Sequence, residues 1–208
     1  MVICEDRQGR LWLGIGMSIL AEGRGVSCFD GQRFITYTTA DGVADNNVMD
    51  ICEDHQGRLW FGTKEGVTCF DGRHFTTYTI ADGLAGNWIN VIYEDRQERL
   101  WFGVSEPFSI SGRGVTCFDG QNFTTYRKTK SSVLHTADDG LAHNDVMDIC
   151  EDRQGRLWFG TREDATCFDG RNFTTYTIAD GLADNWINVI YEDREGRLWL
   201  GTWGSGVC

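Results

Sequence analysis

Five Glu-Asp pairs recur along this sequence: Glu5-Asp6, Glu53-Asp54, Glu94-Asp95, Glu151-Asp152 and Glu192-Asp193. Neighbouring carboxylates can serve as general acid and general base, the chemistry that cleaves glycosidic bonds. Such a pair works only when its members occupy different environments, one protonated and one ionised. Here every copy is followed, three residues after the Asp, by Gly, or by Glu98 in the third copy. Five equivalent copies fit a hairpin turn in which the Asp accepts backbone N–H bonds, so no catalytic residue is assigned. Glu98 is strained if its position needs a positive φ.

Other reactive groups give little more. His55, His74, His135 and His143 fall in turns, loops and an insertion, without the spacing of metal ligands, so no metal site is expected. There is no Ser in a G-x-S-x-G elbow and no phosphate-binding glycine loop, so no cofactor is implied. None of the eight Cys lies in a C-x-x-C pair. Cys4, Cys52 and Cys150 fall on first strands of the repeat, whereas Cys28, Cys69, Cys117, Cys167 and Cys208 fall on third strands. The second strand lies between, which is too wide for a bridge. They read as free buried thiols, with Cys208 aligned to Cys69.

Aromatic and amide residues carry the better binding signal. Trp12, Trp60, Trp101, Trp158 and Trp199 recur in one strand position and read as core. Trp88 and Trp186 instead follow Asn87 and Asn185 in loops, and an aromatic face beside an amide suits stacking on a sugar ring. The competing reading packs both rings onto the loop surface. Asn46, Asn87, Asn144 and Asn185 occupy one loop position, where they either bond their own loop backbone or meet a ligand. The candidate ligand-binding set is therefore Asn46, Asn87, Trp88, Asn144, Asn185 and Trp186.

What positions these residues is a repeat. Asp152 and Asp193 lie 41 residues apart, as do Asp54 and Asp95. Cys-Phe-Asp-Gly recurs from Cys28, Cys69, Cys117 and Cys167, and Asp-Gly-(Leu/Val)-Ala-x-Asn from Asp41, Asp82, Asp139 and Asp180. Each unit reads as four short strands joined by hairpins, as in residues 48–53, 58–63, 67–70 and 75–79, and contains no amphipathic helix. About 40 residues per four-stranded unit is the period of a β-propeller blade. The fold class is all-β: a propeller of four-stranded antiparallel blades, with about four and a half blades present, read as part of a larger propeller. Residues 1–208 form a single propeller region, with blades at about 1–40, 46–81, 87–128, 144–179 and an incomplete 185–208. Insertions at 15–25 and 104–114 lengthen two loops, and a basic insertion at 128–136 reads as a mobile loop. Units two and four share Met-Asp-Ile-Cys-Glu, while three and five share Trp-Ile-Asn-Val-Ile-Tyr-Glu, so the period is also double.

The formal net charge of −12 and pI near 4.7 argue against nucleic acid or an anionic membrane as partners. No apolar run is long enough to span a bilayer, and no signal peptide is visible.

The pattern Asn-x-Val-x-x-Ile-x-Glu-Asp-x-x-Gly-x-Leu-Trp-x-Gly-Thr over 144–161, closed by Phe173 and Tyr176, resembles the two-component regulator propeller repeat. The resemblance extends over nearly the whole chain. It implies the periplasmic or extracellular sensor region of a bacterial hybrid two-component system, ahead of a membrane helix and a kinase. In many members the signal is a polysaccharide fragment. These 208 residues contain no linker domain, membrane helix, kinase or DNA-binding segment. The expected function is ligand recognition, of a glycan or another small extracellular molecule, with no bond broken. A polysaccharide lyase or glycosidase on the same scaffold would need unusual residues in the insertions, such as Glu22, Glu106 or His135. A plain protein-binding scaffold is the third reading. Expected partners besides the ligand are further blades or the kinase of a parent protein, and a second chain through the incomplete last blade.

Overall fold

Alternating apolar residues bounded by Gly and Asp turns form short antiparallel strands throughout this chain, for which a computed structural model describes residues 1–15, 23–105, 113–128 and 140–208. The first blade is β1 (Val2–Glu5), β2 (Leu11–Gly14), β3 (Val26–Phe29) and β4 (Phe34–Tyr37). The second is β5 (Val48–Glu53), β6 (Leu59–Thr63), β7 (Gly66–Phe70) and β8 (Phe75–Tyr78). The third is β9 (Ile89–Glu94), β10 (Leu100–Val104), β11 (Val115–Phe118) and β12 (Phe123–Tyr126). The fourth is β13 (Val146–Glu151), β14 (Leu157–Thr161), β15 (Ala165–Phe168) and β16 (Phe173–Tyr176), and the fifth pairs β17 (Ile187–Glu192) with β18 (Leu198–Thr202). In every sheet each strand pairs with its neighbour in sequence. The arrangement is a partial β-propeller, with two one-turn 3-10 segments as the only helix among the described residues.

One side-chain network closes every first hairpin. In the second blade, Asp54 Oδ1 accepts the amides of Gln56 and Arg58, while Oδ2 accepts Arg58 Nε at 2.6 Å and Trp60 Nε1 at 2.8 Å. Asp6, Asp95, Asp152 and Asp193 repeat these bonds. The turn reading of the Asp is therefore correct but incomplete, because the same carboxylate also orients the core Trp. Burial alone would raise the Asp54 pKa, yet the bonds from Trp60 and Arg58 outweigh it and hold the group below the ordinary range. Gly9, Gly57, Gly155 and Gly196 adopt φ near +77 to +80°, and Glu98 takes the same conformation at φ 63°.

In the first four blades the Trp lies opposite Cys on one or both sides: Trp60 is in register with Cys52 and Cys69, whereas Trp199 of blade five faces Tyr191. Two strand spacings separate those thiols, so the eight cysteines are free. Burial pushes the Cys52 thiol up to about 12, far from the thiolate that nucleophilic chemistry needs. Cys208 departs from expectation. It pairs with Leu200 as Thr68 pairs with Phe61, one residue off the Cys69 position. Its Sγ accepts the Ala183 amide as Thr68 Oγ1 accepts that of Ala44.

The first strands of successive blades contact one another, which makes them innermost. Each blade–blade joint repeats one design. At the first three joints the Trp of one blade points forward into the aromatic face of the next, Trp60 lying 5.7 Å from Phe102 and Trp101 5.7 Å from Phe159. At the fourth, Trp158 packs with Ile190 and Leu200. The Glu of the Glu-Asp pair reaches backward. Glu53, Glu94, Glu151 and Glu192 accept the amides of Arg7, His55, Arg96 and Arg153 in the preceding blade's turn. Nearer the axis the double period has its meaning. Asp50 and Asp148 accept the amides of Ile92 and Ile190 in the following blade, whereas Asn90 donates to the Val146 and Met147 carbonyls. Gly62 allows this approach, since a Cβ there would lie 3.1 Å from the Ile89 carbonyl oxygen.

Burial drives the Asp50 pKa from 3.8 up to about 6, with a smaller push from Asp148, whose own pKa burial also raises. The folded state thus holds a proton that the unfolded chain releases. Stability from Asp50 is fully present below about pH 4 and is lost as pH rises from there through about 6. Melting followed from about pH 4.5 to 8 is expected to show a decline on the order of 1–3 kcal/mol that Asp50→Asn flattens. An unchanged slope in that variant would rule out Asp50 as its source.

Candidate functional site

Two sets of loops meet on one face of the arc. The loops between blades and the loops between second and third strands are tied by backbone bonds: Gly25 to Asn46, Ser105 to Trp88, Gly114 to Asn144, Asp164 to Asn185 and Trp203 to Trp186. The inter-blade loops whose turns lie among the described residues are locally built. Thr79 caps the 3-10 turn Ile80–Asp82, Asp82 returns bonds to the Thr79 amide and hydroxyl, and Gly83 ends it at φ 119°. Thr177 and Asp180 repeat the device. Behind the first of these turns Leu84 enters the core and fixes the loop's base, and Leu141 is buried at the corresponding place before blade four.

The structure places all six candidate residues on this face. Asn46, Asn87 and Asn144 direct Oδ1 at their own loops, accepting the amides of Thr39, Ile80 and Lys128. Those oxygens are engaged in shaping the loop. Trp88 is half-buried with Lys64 Nζ 5.1 Å over its ring. Trp186 is half-buried too, with the Arg162 guanidinium at 5.1 Å and the Trp203 ring stacked at 5.5 Å. Trp203 itself is 66% exposed, the most open aromatic of the group. Trp88 and Trp186 precede blades three and five and lie on different loops.

Four segments, residues 42–65, 83–106, 140–163 and 181–204, match the two component regulator propeller family. Each spans the end of an inter-blade loop, the first hairpin and the second strand, where the Asp–Arg–Trp network and the backward Glu lie. These are two-component regulator propeller repeats.

Solved structures carry the same fold. The extracellular domain of the hybrid two component system BT3049 from B. thetaiotaomicron superposes with a TM-score of 0.78 at 21% identity, over 99% of this chain and 27% of that one. PorZ, a surface component of the type-IX secretion system of Porphyromonas gingivalis, gives 0.71 at 14% identity, covering 99% and 31%. Virginiamycin B lyase from Staphylococcus aureus gives 0.67 at 14%, covering 100% and 68%. At these identities the likeness is one of fold. The chain spans 27%, 26% and 30% of three structures of B. thetaiotaomicron extracellular domains, one of BT3049 and two of BT4673. No curated protein matches it. Among the described residues no helix is long and apolar enough to cross a membrane.

Two cavities in the propeller repeats lie away from the six candidates. One, of about 190 Å³, is lined by Trp158, Tyr176, Leu182, Leu198, Leu200 and Cys208 at the outer part of the joint between blades four and five. In the preceding joint Phe173 fills the corresponding place, 5.5 Å from Tyr126. The other, of about 150 Å³, lies on the hairpin face opposite the loops and includes His55, Glu94 and Glu98. His55 Nδ1 is 2.7 Å from Glu94 and Nε2 is 3.3 Å from Glu98; the Glu94 bond raises the imidazole pKa. Two departures from the repeat, His for Arg and Glu for Gly, thus meet across one joint. Glu98 is legible in the sequence as a departure from the repeat, whereas its meeting with His55 needs the register between blades. Glu22, Glu106 and His135, with most of the three insertions, lie outside the described residues.

Proposed function

We propose that this chain is a ligand-recognition propeller of a bacterial two-component receptor, acting outside the cytoplasm and binding a glycan on its loop face. The observation carrying this reading is the presence, on one face built by two-component regulator propeller repeats, of the pairs Asn87-Trp88 and Asn185-Trp186. Trp88 offers a ring backed by Lys64. Trp186 supports Trp203, whose exposed ring extends the same aromatic surface. The Asn87 amide, fixed by its loop bond, and the rings held by cations are preorganised, so little entropy is lost when a sugar ring stacks on them. Binding alone suffices for this role and no bond is broken. The structural duties of the recurring Asp and Glu support that, since each carboxylate of the five turn networks already serves several donors.

The test is calorimetric titration of a glycan panel against the chain and its Trp88→Ala/Trp186→Ala variant. Each ring contributes on the order of 1–1.5 kcal/mol of contact, so the double variant is expected to bind about a hundredfold more weakly at an unchanged circular dichroism spectrum. Equal affinity in both proteins would remove these residues from the site.

A further inference from the structure

Three of the four joints inside the chain carry a permanent cation beside the backward Glu, and one does not. Arg7, Arg96 and Arg153 each donate their amide to the Glu of the next blade and hold Nε 3.7–4.0 Å from it. Each guanidinium also reaches a backbone carbonyl of the next turn. At the joint between blades two and three His55 stands in that position. Its amide still goes to Glu94, and its ring spans the joint: Nδ1 lies 2.7 Å from Glu94 Oε1, and Nε2 lies 3.3 Å from Glu98 Oε2. Glu98 belongs to the turn of blade three and replaces the Gly of the other four copies. Gln56, in the turn of His55 itself, brings its amide nitrogen within 3.1 Å of Nε2. One ring nitrogen thus faces two partners that need opposite protonation states, an acceptor across the joint and a donor on its own side.

We propose that His55 is a proton-operated clasp between blades two and three, bonded to Glu94 and Glu98 when protonated and exchanging Glu98 for Gln56 when neutral. The imidazolium donates from both nitrogens, so it bonds two carboxylates of blade three at once. After the Nε2 proton leaves, Nδ1–H still donates to Glu94, while Nε2 accepts from Gln56 and its lone pair repels Glu98. The joint keeps one tether and loses the other. The charges around the ring favour the protonated form. The hydrogen bond to Glu94 raises the imidazole pKa most, the charges of Glu98 and Asp54 add to it, and desolvation opposes them. Asp119 and Arg58 also line the cavity, Arg58 already joined to Asp54, and Arg7 of the preceding blade bonds the His55 carbonyl. The folded pKa lies above the ordinary 6.5, so the clasp's contribution is fully present below pH 6.5 and is lost as pH rises through the folded value. The clasp sits on the hairpin face, opposite the proposed ligand face, and stands without it.

Imidazole nitrogen and carbon resonances followed by NMR from about pH 5 to 9 test this, with His55→Arg identifying the His55 signals. His55 is expected to titrate above 6.5 and, once neutral, to be the Nδ1–H tautomer. Glu98→Gly restores the residue of the other copies and is expected to lower that pKa while leaving the tautomer unchanged. In melting, the wild-type chain is expected to lose stability between about pH 6.5 and 8, above the window in which Asp50 acts. His55→Arg is expected to lose less there, since the guanidinium keeps its charge. Both variants carry residues that the repeat already uses at these positions, so both are expected to fold. A wild-type pKa at or below 6.5, a neutral Nε2–H tautomer, a pKa unmoved by Glu98→Gly, or an equal loss above pH 6.5 in His55→Arg would each overturn the proposal.

Discussion

Asp54→Ala is expected to lower the unfolding free energy by about 3–5 kcal/mol, the largest loss from any single polar change in the chain. Asp54 is fully buried and its two oxygens serve two amides, one guanidinium and one indole. Removing the carboxylate strands those donors and leaves Arg58 without its counter-charge against a 2.6 Å contact. Asp54→Asn keeps one acceptor and is expected to cost about half as much. The effect depends on pH in a defined direction. The folded pKa lies below the ordinary 3.8, so the stabilisation is present above about pH 4 and is lost as pH falls through the folded value. Urea unfolding at pH 7 and near pH 3 checks both parts. A loss at pH 7 below about 1 kcal/mol would mean that the turn, and not the network, holds the hairpin.

The repeat made the blades readable, because hairpin signals are local. Gly57 supplies a positive φ and Asp54 caps amides two and four residues ahead, so sequence neighbours carry the information. The backward Glu shows the limit of such reading. Glu53 meets the amide of Arg7, 46 residues earlier in sequence, and nothing near it names that partner. The double period was visible as Met-Asp-Ile against Ile-Asn-Val, yet its meaning, an acceptor latch alternating with a donor latch at successive joints, needed the inner strands side by side. The same holds for the candidate site. Sequence places Trp186 beside Asn185, but the groups that cover its ring, Arg162 and Trp203, come from loops of the blades before and after it. Cys208 was misregistered by one residue because Gly-Val-Cys matches the Cys69 motif by composition, while the Leu200 pairing fixes it at the Thr68 position.

Trp101→Ala is expected to cost about 3–5 kcal/mol and to change how the chain unfolds. Trp101 has no exposed surface; it lies between Tyr126 of its own blade and Phe159 and Phe168 of the next, at 5.6–6.0 Å. Truncation leaves a cavity that these rings, fixed by strand register, cannot collapse into. Its indole N–H also leaves Asp95 with one donor fewer. In a repeat architecture stability is the sum of unit and nearest-neighbour terms, and this substitution weakens one neighbour term at the centre of the arc. Unfolding of the variant is therefore expected to broaden or split, with blades one to three and blades four and five melting apart, where the wild-type chain melts in one step. The same change at Trp199, on the open forward face, is expected to cost under about 1.5 kcal/mol in dilute protein. Equal losses at the two positions would place the value of this Trp in its own blade, through Asp95 and Asp193, and not in the joint.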